Sequence, residues 1–194
     1  MIDFSQIQHR QEEPGPGKLL ISDPFLPDPN FSRTVVLLTE HQKDVGSFGF
    51  VLNRSARTYL DEVVNFDVKA KFPLFTGGPV QQETLHLLHK DDYLAEPEME
   101  ILSGVYWGAD YESLKYLLQR EYANSDNFRF YLGYSGWGPG QLEEELKQKS
   151  WFVAQADQDI VFSNNTDEMW KAVLRSMGGN YSVLANSPND PQWN

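Results

Sequence analysis

A chain of 194 residues, 40% hydrophobic and 13% aromatic, carries enough apolar material for one core and too little length for two full domains; about 70% of the surface exposed when unfolded should be buried. Sixteen basic against 28 acidic residues leave a net charge of −12, which opposes sequence-independent nucleic-acid binding, where Lys and Arg must neutralise phosphates. Cysteine is absent, which removes disulfides, thiolate zinc sites and cysteine nucleophiles, and no apolar run approaches the about 20 residues that cross a bilayer.

The opening sixteen residues, "MIDFSQIQHRQEEPGP", mix charge with amides and lack an apolar signal-peptide core. They read as an N-terminal arm and linker (1–16) ahead of one domain (17–185) and a short tail (186–194), in a protein expected in the cytoplasm. "KLLIS" reads as a buried strand, ended by "DPFLPDPNF", whose prolines forbid regular pairing. "SRTVVLLTE" and "GSFGFVLNR", joined by the polar "HQKDV", predict a β-hairpin with Phe48, Phe50 and Leu52 on one face and Gly49 at a bulge or a close backbone approach. Thr58 with Asp61 resembles a capping box, so a short helix is expected to carry Tyr59, Leu60, Val63 and Val64.

"FPLFTGGPV", "TLHLLH" and "EILSGVYWG" follow as strands. Asp110 is placed to cap a helix bearing Tyr111, Leu114, Leu118 and Tyr122. In "FRFYLGY", Phe128, Phe130, Leu132 and Tyr134 alternate onto one side, and after a glycine-proline corner Leu142 and Leu146 mark another helix. "WFVAQA" is a further strand. Asn165 and Glu168 open a last helix through Met169, Trp170, Val173, Leu174 and Met177, closed by Gly178 and Gly179. Consecutive strands joined by links too short for parallel crossovers give an α+β domain on a mixed sheet.

Several stretches invite a chemical reading. "GYSGW" approaches the G-x-S-x-G nucleophile elbow, but Trp137 stands where the elbow needs a small residue. The glycines of Gly136, Trp137, Gly138, Pro139 and Gly140 lie between a strand and a helix, as in a phosphate cradle; Glu143, Glu144 and Glu145 then occupy the helix mouth and repel a phosphate. A structural corner with Trp137 as its wedge is the expectation there. "TGGPV", with Gly77 and Gly78, reads as a tight turn or a weak ligand signal. His86 and His89 point to opposite faces of a strand and should not share a metal. The carboxylates Asp91, Asp92, Glu96, Glu98 and Glu100 read as a solvated acidic edge. The hairpin should bring Arg33 near Asn53, either to bind a carboxylate or phosphate or to cap the strand ends, and Glu40 and His41 near Gly46 and Ser47.

"LLISDPFLPDPNFSRTVVLLTEH", "GFVLNR", "FTGGPV" and "GYSGWGPGQLEEEL", in that order and spacing, resemble the AlgH/YqgE family of bacterial proteins. The resemblance implies a bifurcated mixed sheet folded into a pseudo-barrel with flanking helices, and motif positions at Arg33, His41, Asn53, Gly77, Gly78, Gly136, Trp137, Gly140, Gln141 and Glu144. It implies a label of transcriptional regulator, in a family for which no catalytic residues or cofactor are established, and no metal site is expected.

The reading that follows is a non-enzymatic cytosolic protein, regulatory through an unknown protein or small-molecule partner, with Arg33, His41, Asn53, Gly77 and Gly78 as candidate contacts. An uncharacterised hydrolase or transferase is the alternative. A DNA-binding regulator comes third, because the most positive stretch, Arg54, Arg57, Lys69 and Lys71, is interrupted by Asp61, Glu62 and Asp67. Direct nucleic-acid contact and membrane insertion are not expected, and the sequence leaves the oligomeric state open.

Overall fold

The computed structural model describes residues 12–91, 94, 96, 100–120 and 123–188. Ten strands, β1 (Lys18–Ser22), β2 (Val35–Gln42), β3 (Gly46–Val51), β4 (Ser55–Tyr59), β5 (Pro73–Thr76), β6 (Val80–His89), β7 (Glu100–Leu102), β8 (Val105–Trp107), β9 (Phe128–Trp137) and β10 (Trp151–Gln155), form one curled sheet. Five helices among the described residues flank it: α1 (Tyr111–Leu118), α2 (Gln141–Lys147), α3 (Gln158–Val161), α4 (Thr166–Met177) and α5 (Gly179–Leu184).

The strand order is β10-β1-β2-β3-β9-β6-β8-β7, with β4 and β5 branching away at β9. One edge of β9 pairs with β6. Its other edge pairs first in parallel with β5, at Leu74 with Phe130, and then antiparallel with β3, at Gly49 with Ser135. This fork is the expected bifurcation, and β5–β9 supplies the parallel pair of a mostly antiparallel, half-barrel sheet.

Both faces of β1–β2–β3 are covered, which is why "LLI" and "VVLL" are apolar without alternation. Leu19, Ile21, Val35, Leu37, Phe50 and Leu52 face a core closed by α4 and α5. Their neighbours Leu20, Val36, Leu38 and Val51 face a second core with Trp137, Leu142, Trp151 and Val153. A third core lies around Leu60, Phe72, Leu74, Leu118, Phe128 and Phe130.

The hairpin forms as expected, and Gly49 lies so close to β2 that a Cβ there would overlap the Leu37 carbonyl oxygen. Asp110 caps α1 by accepting from the Ser113 N–H at 2.9 Å. Four expectations need correction. Thr58 lies within β4, and only a single 3-10 turn, Leu60–Glu62, follows; Thr58 Oγ1 instead donates to Glu62 Oε2, four residues on. Tyr134 leaves the face of Phe128, Phe130 and Leu132 and joins Tyr131, because Gly133 at φ +64 adds a break that resets the alternation. Asp91 is buried, its Oδ1 accepting from the Leu94 N–H, and so does not belong to a solvated edge. α4 ends at Gly178 as expected, but it is not the last helix, because the chain turns there into α5. Tyr122, Asp92 and Glu98 lie outside the described residues.

Candidate functional site

The glycine corner is internally satisfied. Glu145 Oε2 accepts from both indoles, Trp137 Nε1 at 2.9 Å and Trp151 Nε1 at 2.7 Å, while its Oε1 accepts from Gln141 Nε2 at 2.9 Å. Gly138 N–H donates to Gln141 Oε1 and Gly140 N–H to the Lys43 carbonyl, so these two amides are already used. Pro139 precedes the helix by two positions, and Gly140, left-handed at φ +71, takes the N-cap. Ser135 is fully buried, and its hydroxyl donates to the Gly77 carbonyl at 3.0 Å.

Gly77 and Gly78 lie where the β5–β6 link crosses β9. Cβ atoms would overlap the backbone of Gly133 and Tyr134, and the Gly77 N–H and carbonyl bond Leu132 and Val51. Asn53 uses both ends of its amide on the neighbouring strand, Oδ1 accepting from the Val35 N–H and Nδ2 donating to the Arg33 carbonyl, both at 2.9 Å. Arg33, at φ +53, extends its guanidinium over Trp170 at 4.6 Å, and its Nη2 donates to the carbonyls of Ser187 and Pro188, each at 2.7 Å. The hairpin thus brings Arg33 and Asn53 together, and their hydrogen bonds tie down strand and tail.

Sequence reasoning missed a cleft of about 490 Å³ on the opposite end of the hairpin. Phe48, Val80, His86, Trp107, Tyr134 and Trp137 wall it, and Glu40 and Ser47 lie at its rim. Its aromatic rings meet at angles: Phe48 and Trp107 at 4.9 Å and 67°, Phe48 and Tyr134 at 5.7 Å and 75°. A smaller apolar cavity of about 380 Å³, between β6 and α1, shares His86 and Trp107 as a wall. Its walls come from separate stretches of the sequence, among them "TLHLLH" and "VYWG", which only the fold brings together.

The two histidines of β6 have different environments. His89 is buried with both nitrogens used: Nε2 faces the Gly108 carbonyl at 2.9 Å, and Nδ1 accepts from the Asp91 N–H at 3.2 Å. His86 has one described partner, the Thr84 hydroxyl, 2.9 Å from Nε2. That hydroxyl donates its proton to the Gln81 carbonyl, so it accepts from His86 Nε2–H and leaves Nδ1 as an acceptor. Burial lowers the pKa of both histidines, keeping His86 neutral beside the cleft.

His41 has Nδ1 2.7 Å from Ser47 Oγ and Nε2 3.6 Å from Glu143 Oε1. Among the described residues no group of three or more His, Asp or Glu side chains is placed to hold a metal ion, and no helix is long and apolar enough to cross a membrane.

These elements define a single-domain α+β protein built on a curled, forked sheet. The chain matches the AlgH-like family over residues 19–182 and belongs to that family. It is 47% identical to a UPF0301 protein of Cytophaga hutchinsonii over 179 residues, 92% of this chain and 98% of that protein. A UPF0301 protein of Chlorobium limicola is 42% identical, at 92% and 95% coverage. The solution structure of the AlgH protein from Pseudomonas aeruginosa superposes with a TM-score of 0.67 at 28% identity, covering 94% of this chain and 100% of that one. The crystal structure of protein DIP2367 from Corynebacterium diphtheriae reaches 0.76 at 24% identity, covering 92% and 95%, and speaks to the fold alone.

Proposed function

We propose that this is a non-enzymatic, cytosolic binding protein with a regulatory role, whose ligand is a small planar molecule held in the cleft between Phe48, His86, Trp107 and Tyr134. The observation that carries this reading is the cleft itself. Its volume and apolar walls suit a small organic ligand, and His86 Nδ1 is a neutral acceptor able to fix the orientation of a ligand N–H. In this reading the corner from Gly136 to Gly140 and the crossing at Gly77 and Gly78 serve the architecture that shapes the cleft, and His41 holds Ser47, which lines it. The family label of transcriptional regulator fits a ligand-responsive protein acting through a partner better than direct DNA contact, given the charge of −12. Indole and 1-methylindole, titrated by calorimetry, test it: indole should bind more tightly, because only it can donate to His86. Equal affinities, or no saturable binding of either, would remove the reading.

One observation favours a hydrolase as the second reading. Ser47, His41 and Glu143 form a hydroxyl–imidazole–carboxylate row, and Ser47 lines the same cleft. Against it, Ser47 lies in the middle of a sheet, paired with His41 on one side and Trp137 on the other, where backbone N–H groups serve the ladders and not an oxyanion hole. Covalent labelling of Ser47 by a fluorophosphonate, lost in Ser47→Ala, would favour the hydrolase; an unlabelled protein disfavours it.

A further inference from the structure

The ion pairs among the described residues are made by lysines and His41, not by arginines. Lys71 pairs with Asp61 and Lys69 with Asp67, which neutralises the lysine half of the chain's most positive stretch. Among the described residues, Arg54 and Arg57 are left without a carboxylate partner. Arg33 joins them. All three line one concave groove of about 860 Å³ between the proline loop after β1 and the start of β4, together with Ser32, Asn53 and Ser55.

Their hydrogen bonds are incomplete. Arg33 Nη1 is buried and has no hydrogen-bond partner among the described residues, while Nη2 holds the tail. Arg54 uses Nη2 on the carbonyl of Ser32 at 2.7 Å. Arg57, exposed and at φ +57, is held in place by its backbone N–H, which donates to Ser55 Oγ at 3.1 Å. All three guanidinium groups line this groove, and positive charge gathered there favours a multiply charged anion over a neutral or cationic ligand. Burial also disfavours the charged form of Arg33, which an anion beside it would offset. Asp167 is the acidic side chain lining the groove, against the three arginines.

We propose that this groove is a second binding site, for the phosphate groups of a small phosphorylated molecule, with Arg54 and Arg57 as direct contacts and Arg33 as the buried anchor. A small molecule suits the site better than nucleic acid. The groove is concave and of metabolite size, and a chain of net charge −12 repels a long polyanion at distances where a compact dianion is already enclosed.

Pyrophosphate is the probe, added at constant ionic strength while the guanidinium Nε–Hε resonances are followed, with sodium chloride as the reference. The expected result is a saturable shift at Arg54 and Arg57 and an affinity about tenfold weaker in Arg57→Gln, as for loss of one charge-assisted hydrogen bond. Arg57 makes no described side-chain contact that the fold needs, so its variant should melt as the parent does. Arg120→Gln, which removes a charge stacked on Tyr116 elsewhere on the surface, should leave the affinity unchanged. Orthophosphate and a sugar monophosphate, titrated in parallel, distinguish free phosphate from a phosphate ester as the natural occupant. Absence of saturation, an equal loss in Arg120→Gln, or tighter binding of a short DNA duplex than of pyrophosphate would each overturn the proposal.

Discussion

The corner around Trp137 and the cleft around His86 are neighbours built from similar materials, aromatic rings with a few polar groups, yet their polar groups are used differently. At the corner each indole finds Glu145, and the amides of Gly138 and Gly140 find Gln141 and Lys43. In the cleft His86 retains an acceptor, and the rings of Phe48, Trp107 and Tyr134 border open space. Buried polar groups are costly unless paired, so a fully paired set needs nothing from outside. A set with an open acceptor beside an apolar hollow can recognise something.

The largest effect should come from breaking the satisfied side. Glu145→Leu leaves two indole N–H groups without their acceptor and should cost about 3 kcal/mol in chemical denaturation, at 1–3 kcal/mol for each unpaired buried donor. A loss below about 1 kcal/mol would mean that the corner is not held by that carboxylate. On the cleft side, His86→Phe keeps a ring and removes the acceptor. Indole affinity should fall about fivefold, the value of one ordinary hydrogen bond, with stability unchanged or raised.

A smaller change of opposite sign is expected at Tyr131. Its hydroxyl is buried with no hydrogen-bond partner among the described residues, and burial pushes its pKa up to about 12. Tyr131→Phe removes the orphan group without changing shape and should stabilise by about 1 kcal/mol. The smallest effect is on pH dependence. His86 and His89 have folded-state pKa values lowered by burial, below the unfolded value of about 6.5, so on acidification the unfolded chain binds protons that the native protein does not. Their penalty is absent well above that value and grows as the pH falls through and below it. Melting temperature should therefore decline between pH 7.5 and 5.5, and His86→Phe should flatten part of that slope.

The sequence showed the hairpin because two β-branched and aromatic runs flank a polar link, and it showed α1 and α4 because apolar residues recur at helical spacing after a capping residue. It also placed Arg33 beside Asn53 and His41 beside Ser47, since both follow from pairing register. The cleft was not legible. Phe48, His86, Trp107 and Tyr134 come from four separate strands, and only the fork at β9 assembles them. The reset at Gly133 was hidden too, because a glycine in a strand signals a break without giving its direction. Arg54 and Arg57 were visible as charge, but their isolation from carboxylates depends on Asp61 and Asp67 having taken the lysines.

The most direct measurement is chemical-shift mapping of the labelled protein during titration with indole. The account predicts saturable shifts at the side chains of Phe48, His86, Trp107 and Tyr134, with the Gly138 and Gly140 amides unmoved. Shifts concentrated at those two amides, with the four rings unaffected, would contradict it.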